Sequence, residues 1–216
     1  MQNSKHRVGI MGGTFDPIHI GHLMLGECAY EQFQLEKVMF MPSGNPPHKR
    51  QRADGASDEQ RTEMVRRAIA DNPRFELNTE EMERKGLTYT NETLRQLNEK
   101  HPDTDFYFII GGDSLMSFDS WKNPEIICQN CILVAAVRDQ LDLGTMREKM
   151  QELKEKYGAE IHLLKTPDVD ISSSSLRQWC HEKRSIRYYV PESVREYIFD
   201  EHVYDACVHE EATKAD

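Results

Sequence analysis

Two histidines, His19 and His22, lie three positions apart in the stretch GGTFDPIHIGH, Gly12 to His22, directly after the apolar run Val8-Gly9-Ile10-Met11. Residues three apart share one face of a helix, and the free N–H groups of a helix start carry a partial positive charge. Two imidazoles beside such an end form a compact site for an anion. Gly12 and Gly13 lack Cβ atoms, so the backbone can turn sharply there and a ligand can approach it closely. Thr14 and Phe15 follow, and Asp16-Pro17 is a turn signal. The spacing favours a phosphate ligand. Two alternatives stay open: half of a metal site, with Asp16 as the one further ligand in the stretch, or a purely structural junction. The run is neither GxGxxG nor a P-loop, so both of those readings fail on spacing.

A second constellation is Asp170-Ile-Ser-Ser-Ser-Ser-Leu-Arg177, which precedes a helical pattern. One serine at a helix start caps free N–H groups. Four in a row exceed what capping requires. Ser172, Ser173 and Ser174, with Arg177 one turn in, would offer hydroxyls, N–H donors and a fixed cation to a phosphate chain. Asp113 follows Gly111-Gly112 at a strand end, where a helix N-cap is the plain alternative. Trp121 has Phe118 at helical spacing and could equally be core. Arg61, Arg66 and Arg67 read as a solvated helix face.

Short apolar runs must position these residues, and they alternate with helical patterns. Strands are expected over Arg7–Met11, Lys37–Met41, Phe75–Leu77, Asp105–Ile110, Ile132–Val137 and Glu160–Leu164. Helices are expected over Ile20–Phe33, Asp58–Ala70, Asn91–Lys100, Gly144–Tyr157, Ser174–His181 and Glu192–Phe199. The alternation predicts an α/β fold, a doubly wound and mostly parallel sheet with helices on both faces. Ligands in such sheets bind outside the carboxyl ends of the strands, where the strand order reverses. Loops are expected over 42–55 and 80–90. The reading is one domain over 1–204 and a frayed tail over 205–216.

The chain has 216 residues and a formal net charge of −10, which argues against broad contact with nucleic acid or an anionic membrane. No apolar run approaches the ~20 residues of a membrane span, and the expected location is the cytoplasm. The five cysteines, an odd and scattered number, read as reduced thiols. Cys128-Gln-Asn-Cys131 has CxxC spacing but no second pair, so a helix end leading into a strand is preferred to a redox or zinc module.

GGTFDPIHIGHL near one end and ISSSSLR near the other together resemble the paired signature of the nucleotidylyltransferase superfamily. PSGNPPHK, KGLTYTNETL and IGGDSLMSFDSWKNPEII extend the likeness, within it, to nicotinate-mononucleotide adenylyltransferases. The resemblance spans Val8 to about Tyr204. It implies a Rossmann-like fold and transfer of the adenylyl group of ATP to nicotinate mononucleotide, giving deamido-NAD and pyrophosphate. Transfer to phosphopantetheine or another phosphate acceptor is the alternative. It also implies Mg2+ on the ATP phosphates with no dedicated protein ligand, and it leaves a homo-oligomer open.

The resemblance further implies roles on matching positions. Gly12, Gly13, Thr14 and Phe15 would line the nucleotide site, His19 and His22 would meet the ATP phosphates, and Gly111 with Asp113 would hold a ribose. Ser172, Ser173, Ser174 and Arg177 would bind the pyrophosphate. Lys49, with His48 beside it, would reach the phosphates from a loop, and Thr88, Tyr89 and Trp121 would cradle the nicotinate nucleotide. One departure follows the fifth strand: Arg138-Asp139-Gln140 stands where the family often has Arg-Pro-Gly.

Overall fold

Residues placed alternately on two sides of a strand need two apolar layers to bury them, and the apolar runs here obtain both. In a computed structural model, which describes residues 5–44, 55–136 and 143–204, six strands form one parallel sheet in the order β3-β2-β1-β4-β5-β6. These are β1 (His6–Gly13), β2 (Lys37–Pro42), β3 (Phe75–Leu77), β4 (Thr104–Gly111), β5 (Ile132–Ala136) and β6 (Ile161–Leu164). Between and after them run α1 (Ile20–Phe33), α2 (Asp58–Ile69), α3 (Glu80–Glu83), α4 (Thr90–Lys100), α5 (Gly112–Met116), α6 (Pro124–Asn130), α7 (Leu143–Tyr157), α8 (Ser173–His181) and α9 (Glu192–Asp200). A 3-10 turn covers Phe118–Ser120.

Each central strand divides its side chains between two cores. Met11, Val38, Phe40, Tyr107, Ile109, Val134 and Ala136 enter one, with Leu176 of α8 and Ile198 of α9. Val8, Ile10, Met39, Met41, Phe106, Phe108, Leu133 and Ala135 enter the other, with Leu94, Leu115 and Met146. The register places Gly13 opposite Pro42, Met11 opposite Ile109 and Gly111 opposite Ala136. Order reverses between β1 and β4, so the crevice lies where Gly12-Gly13 and Gly111 end their strands.

The expected α/β architecture holds, with differences at short elements. β1 and β4 run on into their glycines because neighbouring parallel strands continue the ladder there. The expected loop over 80–90 begins with a single helical turn, α3, whose Glu80 N–H donates to Asn78 Oδ1 at 2.9 Å. α3, α5 and the 3-10 turn are too short for a 3.6-residue period to appear in sequence. α6 carried one start signal, Pro124 in its first turn. His48, Lys49, Arg138, Val137 and the tail 205–216 lie outside the described residues.

The loop after β2 passes close to α3. A Cβ added at Gly44 would run into the carbonyl oxygen of Glu81, and backbone cannot yield as a flexible side chain can. Gly44→Ala is therefore expected to lower unfolding free energy by about 1–3 kcal/mol, as overpacking does, read from urea denaturation. A neutral result would show that the two backbones are not held together.

Candidate functional site

The turn after β1 is built under strain and pinned from several directions. Phe15 is fully buried with φ of 51°, a left-handed conformation that costs a non-glycine residue of order 1 kcal/mol or more. His19 caps α1 and is 4% exposed. Its ring lies 3.7 Å, centroid to centroid, from that of His22, and Phe15 meets His22 edge-on at 5.0 Å. The His19 amide donates to His22 Nδ1 at 3.3 Å. In the neutral ring the proton is thereby assigned to Nε2, which makes Nε2–H a donor.

Asp16 does not complete a metal site with these histidines. Its Oδ1 accepts from the Ala56 amide at 3.0 Å and from the Tyr204 hydroxyl at 2.6 Å. Arg177 Nη1 donates to the Asp16 carbonyl and lies 3.6 Å from Oδ2. Arg177 is 7% exposed, and its Nε has no partner among the described residues. Ser173 Oγ donates to the Pro17 carbonyl at 2.9 Å, while Ser172 caps α8 by accepting from the Ser175 amide at 3.0 Å. Of the three predicted serines, only Ser174 is exposed. The structure thus brings Ser173 and Arg177 against residues 16 and 17, beside the histidine pair.

Arg61 corrects an expectation. Read as solvated, it is 4% exposed and donates to the Thr14 carbonyl at 2.6 Å, the Ser43 carbonyl at 2.9 Å and Asp58 Oδ1 at 2.7 Å. It ties the turn after β1 to the turn after β2. Arg66 and Arg67 do face solvent, each paired with Glu63. The missed signal was its place on a stripe: Arg61, Met64, Val65 and Ala68 share the buried face of α2.

Gly12 is exposed at the end of β1 and has the Phe108 ring beside it, 3.3 Å from where a Cβ would stand. Phe108 in turn meets Trp121 edge-on at 6.2 Å, and Phe118 lies 5.5 Å from Trp121. Trp121 is only partly buried, so one ring packs on the core and remains accessible. Lys122 Nζ stands 3.5 Å from the Tyr89 ring centroid and 3.2 Å from Glu92, which draws the Trp121 segment onto the start of α4. Gly111 has open space where a Cβ would be, and Asp113 is exposed in the first turn of α5; the N-cap there is Gly111, not Asp113.

Thr88 is buried beside Gly44. Next to it, burial pushes the Glu81 carboxyl above the usual glutamate range, against the opposing effect of the Thr93 hydroxyl, which donates at 2.7 Å, and of Arg84. Within the 3-10 turn, Asp119 is held well below the usual carboxylate range by Lys149, Lys156 and Tyr157 of α7. Cys128 lies in α6 and Cys131 caps it; both thiols are buried, and burial pushes Cys128 up to about 11. They are protonated core side chains, as the helix-end reading expected. Among the described residues no group of three His, Cys, Asp or Glu side chains could hold a metal ion.

The family model described as cytidylyltransferase-like matches residues 10–179. A protein of Lachnoclostridium phytofermentans named "Probable nicotinate-nucleotide adenylyltransferase" is 48% identical over 198 residues, covering 92% of this chain and 98% of its own. One of the same name from Desulfitobacterium hafniense is 41% identical, covering 92% and 95%. The fold matches a solved structure of Plasmodium falciparum nicotinic acid mononucleotide adenylyltransferase complexed with NaAD, with a TM-score of 0.76 at 20% identity over 93% of this chain and 98% of that one.

Arg61 supplies a test of the pinned turns. Arg61→Met keeps most of the stem volume but removes the buried donor of two half-buried carbonyls and a partner of Asp58. Breaking such a buried set is expected to cost about 3 kcal/mol, measured by urea unfolding. A loss under about 1 kcal/mol would show that the carbonyls find other donors.

Proposed function

Because the chain belongs to the nicotinate-nucleotide adenylyltransferases of the cytidylyltransferase-like family, we propose that the crevice between β1 and β4 transfers the adenylyl group of ATP to nicotinate mononucleotide. The products are deamido-NAD and pyrophosphate. The observation that carries this reading is His22 at the start of α1, its Nδ1 engaged by the His19 amide and its ring stacked on His19. That arrangement offers Nε2–H as a fixed donor without requiring a charged ring.

The acceptor's phosphate oxygen attacks the α-phosphorus in line, and the bond to pyrophosphate breaks. A phosphate is already anionic at neutral pH, so no general base is required. What the protein supplies is position and stabilisation of developing charge. His22 and His19 act between the α-phosphate and its leaving group. The start of α8, with Ser172, Ser173, Ser174 and Arg177, and Lys49 from the segment after β2 act on pyrophosphate. Gly12, Gly13, Thr14 and Phe15 shape the nucleotide floor, and Gly111 and Asp113 take a ribose. Thr88, Tyr89 and Trp121, with His48, form the acceptor side.

Magnesium, when bound, would be held by ATP phosphate oxygens and water and would offset charge on the phosphates; Asp16, engaged by Ala56, Arg177 and Tyr204, is not counted among its ligands. No helix among the described residues is long and apolar enough to cross a membrane, and the net charge of −10 disfavours a nucleic-acid partner. The same reading places its work in the cytoplasm, alone or as a homo-oligomer.

Pyrophosphate release from MgATP with a panel of acceptors tests the assignment: nicotinate mononucleotide, nicotinamide mononucleotide and phosphopantetheine. An acid-selective site offers donors, which leave an amide NH₂ unpaired; backbone N–H groups at Thr88 and Tyr89 suit that task. The expected kcat/KM for the acid exceeds that for the amide by at least roughly 10². Equal values, or preference for phosphopantetheine, would overturn the acceptor named here. His22→Ala is expected to lower kcat by about 10²–10³ with thermal unfolding unchanged. A variant that melts normally and keeps more than about a third of turnover would remove His22 from the chemistry.

A further inference from the structure

We infer that Tyr204 is a positioning residue for the nucleotide half of the site, acting through Asp16. The inference rests on the reading of the turn after β1 as the place where ATP phosphates bind. Tyr204 lies after α9, is 6% exposed, and adopts φ of 67°, a left-handed conformation that a tyrosine takes at a cost. What it gains there is a hydrogen bond across 188 positions of sequence: its hydroxyl donates to Asp16 Oδ1 at 2.6 Å. Burial, and then the neighbouring Asp16 carboxylate, push that hydroxyl well above the ordinary tyrosine range, so it stays a donor.

Asp16 stands one residue after the strained Phe15 and three before His19. A buried carboxylate must have its lone pairs occupied or it reorganises its surroundings to occupy them. Here Tyr204 and the Ala56 amide share Oδ1, and Arg177 stands toward Oδ2 while donating to the Asp16 carbonyl. Each donor comes from a different part of the chain: the residue before the α2 cap, the middle of α8 and the stretch after α9. The Tyr204 hydroxyl carries part of the carboxylate's demand. Without it, Asp16 draws more heavily on Arg177 and Ala56, and both the Arg177 guanidinium and the turn that carries His19 and His22 shift. Tyr204 touches neither substrate; it sets where the groups that do so stand.

Tyr204→Phe keeps the ring in its core position and deletes only the donor. The expected result is an ATP Kd, measured calorimetrically with magnesium, raised by roughly tenfold or more, with kcat lowered to a similar degree, since small displacements of positioned groups cost rates on that scale. KM for nicotinate mononucleotide is expected to stay within about twofold of wild type, a split that general destabilisation would not produce. Placed on Asp16→Asn, the tyrosine change is expected to add little, because its effect runs through that carboxylate. ATP affinity and kcat within about twofold of wild type, even with a lowered melting temperature, would overturn the inference. Wild-type turnover on the acceptor panel is scored separately, so a wrong acceptor and a wrong role for Tyr204 give different results.

Discussion

A parallel strand leaves its carboxyl end with a loop that must travel to one face of the sheet or the other. Where two adjacent strands send their loops to opposite faces, neither loop covers the gap between them. β1 and β4 are that pair in this molecule, and the glycine turns, the histidine pair and Asp113 stand at the two sides of the gap. The glycines at both strand ends keep side chains out of it. α1 begins on one side with its histidine pair, and α5 begins on the other with an exposed acid.

An open crevice has no core of its own to hold its rim, so the rim is held by buried ions instead. Arg61 fastens the turns after β1 and β2 to each other, and Asp16 gathers donors from residues 56, 177 and 204. Such groups are costly to desolvate and contribute little net stability, but they tolerate few alternative arrangements. Strained backbone at Phe15 is retained because its surroundings over-determine it. Around Trp121 the means differ. Phe118 and Phe108 back the Trp121 ring, and Lys122 leans over Tyr89.

Much of this was legible from residue order, and the limit has a physical explanation. The central strands announced themselves because they are apolar on both faces, and the longer helices because their stripes persist over several turns. The histidine pair and the serine run were visible because their meaning is local: three-residue spacing at a helix start needs no partner from elsewhere. Asp16 was different. Its sequence neighbourhood identifies a turn, whereas its function as a hub depends on a tyrosine 188 positions later. Arg61 was misread because a charge is normally assigned to solvent, although it sits on the buried stripe of α2 and points at carbonyls. Glu81 and Asp119 likewise draw their character from groups on other elements.

The bond between Asp16 and Tyr204 also has a meaning in time. A ribosome makes the first of these residues early and the second only after nearly all of the sheet has emerged. Until then the turn after β1 lacks one of the donors that complete it, however well β1, β2 and α1 have already packed. Contacts of such long separation close late because loop entropy must be met before they form. Of the three donors around Asp16, the Tyr204 hydroxyl is thus the last to be synthesised, well after β1, β2 and α1.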